Sequence, residues 1–146
     1  MASLVDTNIL VYRVDISDPG KRKIAREVLR EGAHTEELLL AHQTVVEFMH
    51  AVTRTRGGRK PLLTPEQAWR EAEDFIDEFP VLYPNELVIR TAFLGMAAFK
   101  FSWYDAHLWA YAEHYGLPEI LSEDFEHGRR YGNVRVRNPF LEAGLA

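Results

Sequence analysis

Short apolar runs alternate with segments of helical period along the whole chain, and that alternation restricts the possible folds more than any other feature. "SLV" at 3–5, "ELLLAH" at 37–42, "VLYP" at 81–84 and the start of "EILSEDF" at 119–125 are strand-like and too short for helices. Between the first two, a Pro19-Gly20 turn leads into a helix expected over about 21–31 and closed by Gly32. "QTVVEFMHAVTRTRGG" places Val45, Phe48, Met49 and Val52 at i, i+3, i+4 and i+7, a helix ended at Gly57-Gly58. Thr64, Pro65 and Gln67 form a helix-start signature ahead of an apolar stripe of Ala68, Ala72, Phe75, Ile76 and Phe79. Two further helices are expected over about 86–99 and from Ser102 to about 115, the second stopped by Gly116 and Pro118. "NVRVRNPF" supplies a last short strand. Strands joined through helices predict a mostly parallel sheet covered on both faces, a three-layer α/β/α architecture. No repeat or linker interrupts the pattern, so residues 1–146 read as one domain.

Composition narrows the function classes. The chain has no cysteine, which excludes disulfides and thiolate metal sites and fits a reducing cytoplasm. No apolar stretch approaches the length of a membrane span, and Asp6 and Asn8 sit where a signal peptide would need its apolar core. A net charge of −5 argues against a simple basic clamp for nucleic acid. The cations are nevertheless grouped, as Lys21, Arg22 and Lys23, as Arg54, Arg56, Arg59 and Lys60, and as Arg129, Arg130, Arg135 and Arg137. Such groups are ordinarily solvated faces and decide little alone.

The acidic residues are more informative. "LVDTNILVY" interrupts an apolar run with Asp6, Thr7 and Asn8, directly after the first strand. Glu123 and Asp124 follow the "EIL" strand and Ser122, so both acidic positions fall at the carboxyl edge of the sheet, where open α/β folds bind ligands. Glu47 and Asp105 stand in the early turns of helices. Each has a structural reading: Asp6 as a helix N-cap, Asp105 in a capping box with Ser102, Glu47 as an exposed helix residue, Asp124 as part of an acidic loop. Asp105, however, shares its helix face with the apolar Leu108, Trp109 and Ala112. Two carboxylates about 5 Å apart repel by roughly 3 kcal/mol at an effective dielectric near 20, so a convergent group calls for protons or a cation. An all-oxygen site suits Mg²⁺ or Mn²⁺, which can orient a water nucleophile against a phosphoryl group.

Four segments, "LVDTNILVY", "QTVVEFMHAVTR", "SWYDAHLWAYAEHYG" and "ILSEDFEHGRRYGNVRVRNPF", resemble the acidic motifs of PIN-domain nucleases, in particular VapC-type toxins of bacterial toxin–antitoxin pairs. The resemblance extends over essentially the whole chain. It implies that Asp6, Glu47, Asp105 and Asp124 form the acidic quartet, with Asp6, Asp105 and Asp124 holding metal and Glu47 orienting or deprotonating water. Thr7 and Ser122 match hydroxyl positions near the metal, Asn8 a supporting amide, and Glu123 a secondary ligand. His107 stands where the family commonly has an apolar residue and reads as packing. The resemblance further implies Mg²⁺-dependent endonucleolytic cleavage of RNA to 5′-phosphate and 3′-hydroxyl ends, a homodimer, and a VapB-type antitoxin that covers the acidic groove with an arginine. Arg54, Arg56, Arg59 and Lys60, or Arg129 and Arg130, are the candidates to hold the RNA backbone.

Other readings stay open at this level. The same fold could serve RNA processing without an antitoxin, or act as a non-catalytic protein-binding module. A phosphatase using Asp6 as covalent nucleophile would have a second Asp two residues on, where this chain has Asn8. The six histidines offer no evident acid–base pair for a metal-free ribonuclease.

Overall fold

The computed structural model describes residues 1–145. In chain order the elements are β1 (Ser3–Val5), α1 (Thr7–Val14), α2 (Pro19–Thr35), β2 (Leu38–Ala41), α3 (His42–Thr53), α4 (Pro65–Glu78), β3 (Val81–Leu82), α5 (Glu86–Phe99), α6 (Trp103–Tyr115), β4 (Glu119–Leu121), β5 (Arg130–Tyr131), β6 (Val134–Arg137) and α7 (Pro139–Glu142). The strands form one sheet in the order β3-β2-β1-β4-β6-β5. All neighbours are parallel except the β5–β6 edge pair.

Strand alternation divides the interior into two cores, one on each face of the sheet. Leu4, Ile120 and Val136 point to the face covered by α5 and α6, joining Val88, Ala92, Leu108 and Trp109. Val5, Leu40 and Leu121 point the other way, to Ile9, Leu29, Phe48, Phe75 and Phe140 from α1, α2, α3, α4 and α7. This is the three-layer arrangement the alternating pattern predicts. Among the described residues no helix is long and apolar enough to cross a membrane.

The topology sets the position of the site. From β1 the chain builds outward through β2 and β3, then crosses to β4 on the other side of β1. Val5 pairs with Leu121, so the carboxyl ends of β1 and β4 lie side by side at a topological switch point. The backbone N–H of Asp6 donates to Leu121 O at 2.9 Å, which continues the ladder into the first acidic residue.

Several element boundaries differ from the sequence expectation. The second helix begins at Pro19, capped by Asp18, and runs through Gly32 to Thr35. Pro19 occupies the first turn of that helix, where its missing N–H costs nothing. Gly32 is buried inside the helix because Leu38 packs on its bare face; a Cβ there would lie 2.0 Å from Leu38 Cδ1. Helix α3 stops at Thr53, ahead of Gly57 and Gly58, which take φ values of 54° and 80° in the turn that pairs Arg56 with Arg59. Ile76, counted in the α4 stripe, is exposed, while Ala68, Ala72, Phe75 and Phe79 are buried. The capping box of Thr64 and Gln67 is present as expected. Strand β5 and helix α7 carry no clear periodicity and were not expected.

Candidate active site

Asp6 holds the N-cap position of α1, yet its side chain does not make the usual bond to the second or third helical N–H. Oδ1 accepts from the adjacent Thr7 N–H at 2.6 Å, and Oδ2 turns across the switch point to accept from Ser122 Oγ at 2.5 Å and Asn8 Nδ2 at 3.3 Å. The residue is buried, with 6% of its surface exposed. Burial is the main reason its carboxyl is pushed up from 3.8 to about 7; Asp124 and Glu47 raise it further, against the hydrogen bonds from Ser122 and Thr7. The cap and the buried liability are thus the same residue, aimed at a second strand.

Ser122 and Asn8 tie Asp6 to Asp124. Ser122 Oγ accepts from the Asp124 N–H at 3.0 Å while donating to Asp6, and Asn8 Nδ2 donates to Asp124 Oδ2 at 3.1 Å. Glu47 joins from α3, where Thr7 Oγ1 donates to Oε2 at 3.0 Å and Gln43 Nε2 donates to Oε1 at 2.6 Å. Glu47 is therefore half-buried and oriented by two donors, unlike the exposed helix residue of its structural reading. Asp105 lies in the first turn of α6, its N–H donating to the Ser102 cap at 3.3 Å. Burial raises its carboxyl above the usual range; the Ser102 hydroxyl near the carboxyl opposes that, and Asp124 and Glu47 add to it. Four carboxylates from β1, α3, α6 and the loop after β4 are electrostatically coupled at one edge of the sheet.

Glu123 turns away from this group. Its oxygens accept from Tyr12 Oη and Lys21 Nζ, each at 2.7 Å, and the ammonium also lies over the rings of Tyr12 and Phe140 at 4.8 and 5.4 Å. His107 packs as expected, stacked on Trp103 with centroids 5.3 Å apart and planes 9° from parallel. Burial lowers its affinity for a proton, although Glu47 opposes this. The cationic candidates are dispersed. Arg54, Arg56, Arg59 and Lys60 are exposed beyond the C-terminal end of α3, two turns past Glu47. Arg129 is occupied by Glu126 at 3.1 Å and the Tyr131 ring at 4.7 Å, and Arg130 is exposed on the edge strand β5.

The sequence marks Lys21 only as one of a cationic group and does not mark Gln43 or Tyr12 as site residues. The i, i+4 spacing of Gln43 and Glu47 was the available signal for Gln43. Tyr12 and Lys21 depend on the packing of α1 and α2 against the loop after β4, which no local pattern encodes.

The donor chemistry fits a hard cation. Every polar group directed at the cluster by Asp6, Glu47, Asp105 and Asp124 is an oxygen, and the buried amide oxygens Asn8 Oδ1 and Gln43 Oε1 have no hydrogen-bond partner. Among the described residues no three His, Asp or Glu side chains are drawn together into a preformed metal-ligating group. The Asp6, Asp124 and Glu47 carboxylates are each held by a neutral donor, and none of them by an arginine or lysine.

The PIN domain family is matched over residues 3–133. Among solved structures, the chain is similar to one in the VapBC2 complex of Rickettsia felis bound to a promoter DNA fragment, with TM-score 0.69, 12% identity, and 94% of this chain and 98% of that one covered. It is similar to VapC20 of Mycobacterium tuberculosis, described as a sarcin-ricin loop cleaving toxin, with TM-score 0.64, 14% identity, and 84% and 90% covered. It is also similar to FitAcB of Neisseria gonorrhoeae, with TM-score 0.66, 19% identity, and 94% and 98% covered. No curated protein matches the sequence.

Proposed function

The chain belongs to the PIN domain family, and from that premise we propose that it is a Mg²⁺-dependent endoribonuclease, the toxin of a toxin–antitoxin pair. The observation that carries this reading is the coupling of Asp6, Glu47, Asp105 and Asp124 at the switch point, with Asp6 pushed up to about 7. Burying carboxylates together is costly without a counter-charge, and the arrangement offers oxygen ligands alone. Asp6, Asp105 and Asp124 would hold Mg²⁺, with Mn²⁺ able to substitute. The bound ion would supply Lewis-acid stabilisation of the phosphoryl group and lower the pKa of a water.

The remaining work falls to the chain. Glu47, fixed by Thr7 and Gln43, orients the attacking water and accepts its proton. Ser122 and Asn8 keep Asp6 and Asp124 at a constant separation. Glu123 acts outside the ligand set, because Lys21 and Tyr12 already satisfy it.

The same reading carries a cytoplasmic location, a homodimer and a VapB-type antitoxin that covers the carboxylates. Leu87, Phe93 and Leu94 on α5, between 55% and 68% exposed, offer the dimer an apolar surface. The similarity to a chain of the VapBC2 complex supports the antitoxin.

The test is cleavage of total cellular RNA in Mg²⁺ or chelator, comparing wild type with Asp6→Asn. Asn caps helices as well as Asp does, so the variant is expected to fold and to lose Mg²⁺-dependent cleavage. Cleavage at the wild-type rate by Asp6→Asn would refute the metal site. Products ending in 2′,3′-cyclic phosphate would refute attack by water.

A further inference from the structure

The proposed chemistry leaves one large feature unused, the cationic face of α2. Arg22, Arg26 and Arg30 recur every four residues, so they stand one above another along about 12 Å of helix. Among the described residues none of the three forms an ion pair, and Arg22 Nε is buried without a hydrogen-bond partner. Three adjoining depressions of 330, 340 and 340 Å³ open along this face, and Arg26 lines all of them. Arg13 lines two of them, its charge taken by Glu78 at 3.2 Å. Glu27 and Glu71 are the other carboxylates in the lining, so cations outnumber acids there. In a chain of net charge −5 this is an unusual concentration of unspent positive charge.

Its position connects it to the carboxylates. Lys21, immediately before Arg22, binds Glu123, the neighbour of Asp124. Arg22 is thus one residue along the chain from a contact to the loop that carries the fourth carboxylate, and it faces Val14, Ile16 and Leu63. The arginines lead away along α2 toward the end of the sheet where β2 begins.

We infer that Arg22, Arg26 and Arg30 form a track for the phosphodiester backbone of a single-stranded RNA passing out of the carboxylate cluster. The inference rests on the nuclease reading above and adds where the substrate is held. A cluster of four carboxylates repels a polyanion, so binding requires fixed cations close by. Guanidinium groups match phosphate oxygens in paired hydrogen bonds. No aromatic ring lines the three depressions, which removes base stacking and leaves backbone contact, with no sequence preference. An acidic protein segment would need a continuous apolar floor, and Val14, Ile16, Leu63 and Ala33 are divided between two of the depressions. The Arg54–Lys60 turn and Arg129 serve this purpose less well, the first lying past the far end of α3 and the second already paired.

The test measures binding of fluorescein-labelled oligouridylate by anisotropy across a salt series, in the Asp6→Asn background so that the RNA stays intact. Arg26→Gln/Arg30→Gln is expected to weaken binding about tenfold and to lower the log–log salt slope by about 1.4, at roughly 0.7 per phosphate contact for single strands. In cleavage-competent protein the same pair is expected to raise KM and leave kcat unchanged. Arg56→Gln/Arg59→Gln removes equal charge from the far turn and is expected to change neither by as much. An unchanged dissociation constant and slope for the α2 pair, or equal losses for both pairs, would overturn the track. So would binding of polyglutamate that depends on Arg26 and Arg30 while oligouridylate binding does not. Binding that depends on Arg26 and Arg30 without any Mg²⁺-dependent cleavage would sink the nuclease reading and leave the track standing.

Discussion

Ser122 Oγ donates to Asp6 Oδ2 at 2.5 Å, joining residues 116 positions apart across the switch between β1 and β4. The same oxygen accepts the Asp124 N–H, so this hydroxyl, with the Asn8 amide that donates to both carboxylates, links Asp6 to the loop of Asp124.

Ser122→Ala should remove both bonds at once. Loss of a buried hydrogen bond to a carboxylate costs about 1–3 kcal/mol, read as a lower midpoint in urea denaturation. Because the Ser122 bond lowers the Asp6 pKa, its removal should move the Asp6 titration to higher pH in carboxyl NMR. An unshifted titration would show that the hydroxyl does not govern Asp6.

The raised Asp6 pKa has a definite sign in stability. The folded protein retains a proton on Asp6 up to about pH 7, whereas the unfolded chain releases it near 3.8. The folded state therefore binds more protons between those values, and in metal-free buffer stability falls as pH rises from about 4 to 7, by at most roughly 4 kcal/mol. Asp6→Asn should flatten this dependence and unfold at higher temperature than wild type at pH 8. Equal slopes in the two proteins, followed by thermal melts across that range, would contradict the argument.

The Lys21–Glu123 pair sits on the rim of the site, each side chain about one-fifth exposed. Lys21→Met leaves Glu123 with only the Tyr12 hydroxyl and should cost about 1–2 kcal/mol. Glu123→Gln keeps the hydrogen-bonding shape and should cost less. If Glu123 belonged to the metal set instead, Glu123→Gln would raise the Mg²⁺ concentration needed for half-maximal cleavage, and Lys21→Met would not.

Gly32→Ala tests the packing of α2 on β2. The added methyl would meet Leu38 Cδ1 at 2.0 Å and Cγ at 2.2 Å. Displacing a buried leucine in a close-packed core costs about 1–3 kcal/mol, outweighing the better helix propensity of alanine. Denaturation at equal or higher urea than wild type would show that Leu38 can move freely.

Helix existence and strand placement were legible because period and capping are local. The Thr64–Gln67 box and the left-handed Gly116 at the end of α6 both appear where the sequence announces them. Gly32 misled for a physical reason: glycine marks helix ends when backbone freedom is needed, and here a close approach by Leu38 required it. Strand β5 has too few residues for a period to be read.

For the candidate site, residue chemistry was local and partnership was not. The sequence by itself determined that acidic residues follow β1 and β4, that Glu47 and Asp105 stand in the early turns of helices, and that no thiol competes for metal. Only the tertiary structure decided that Asp6 turns from its own helix toward Ser122, that Glu123 pairs with Lys21, and that Gln43 and Thr7 together orient Glu47. Period and capping arise from contacts within a few residues, so a sequence displays them directly. Hydrogen bonds between residues more than 100 positions apart exist only after the sheet order brings β1 beside β4.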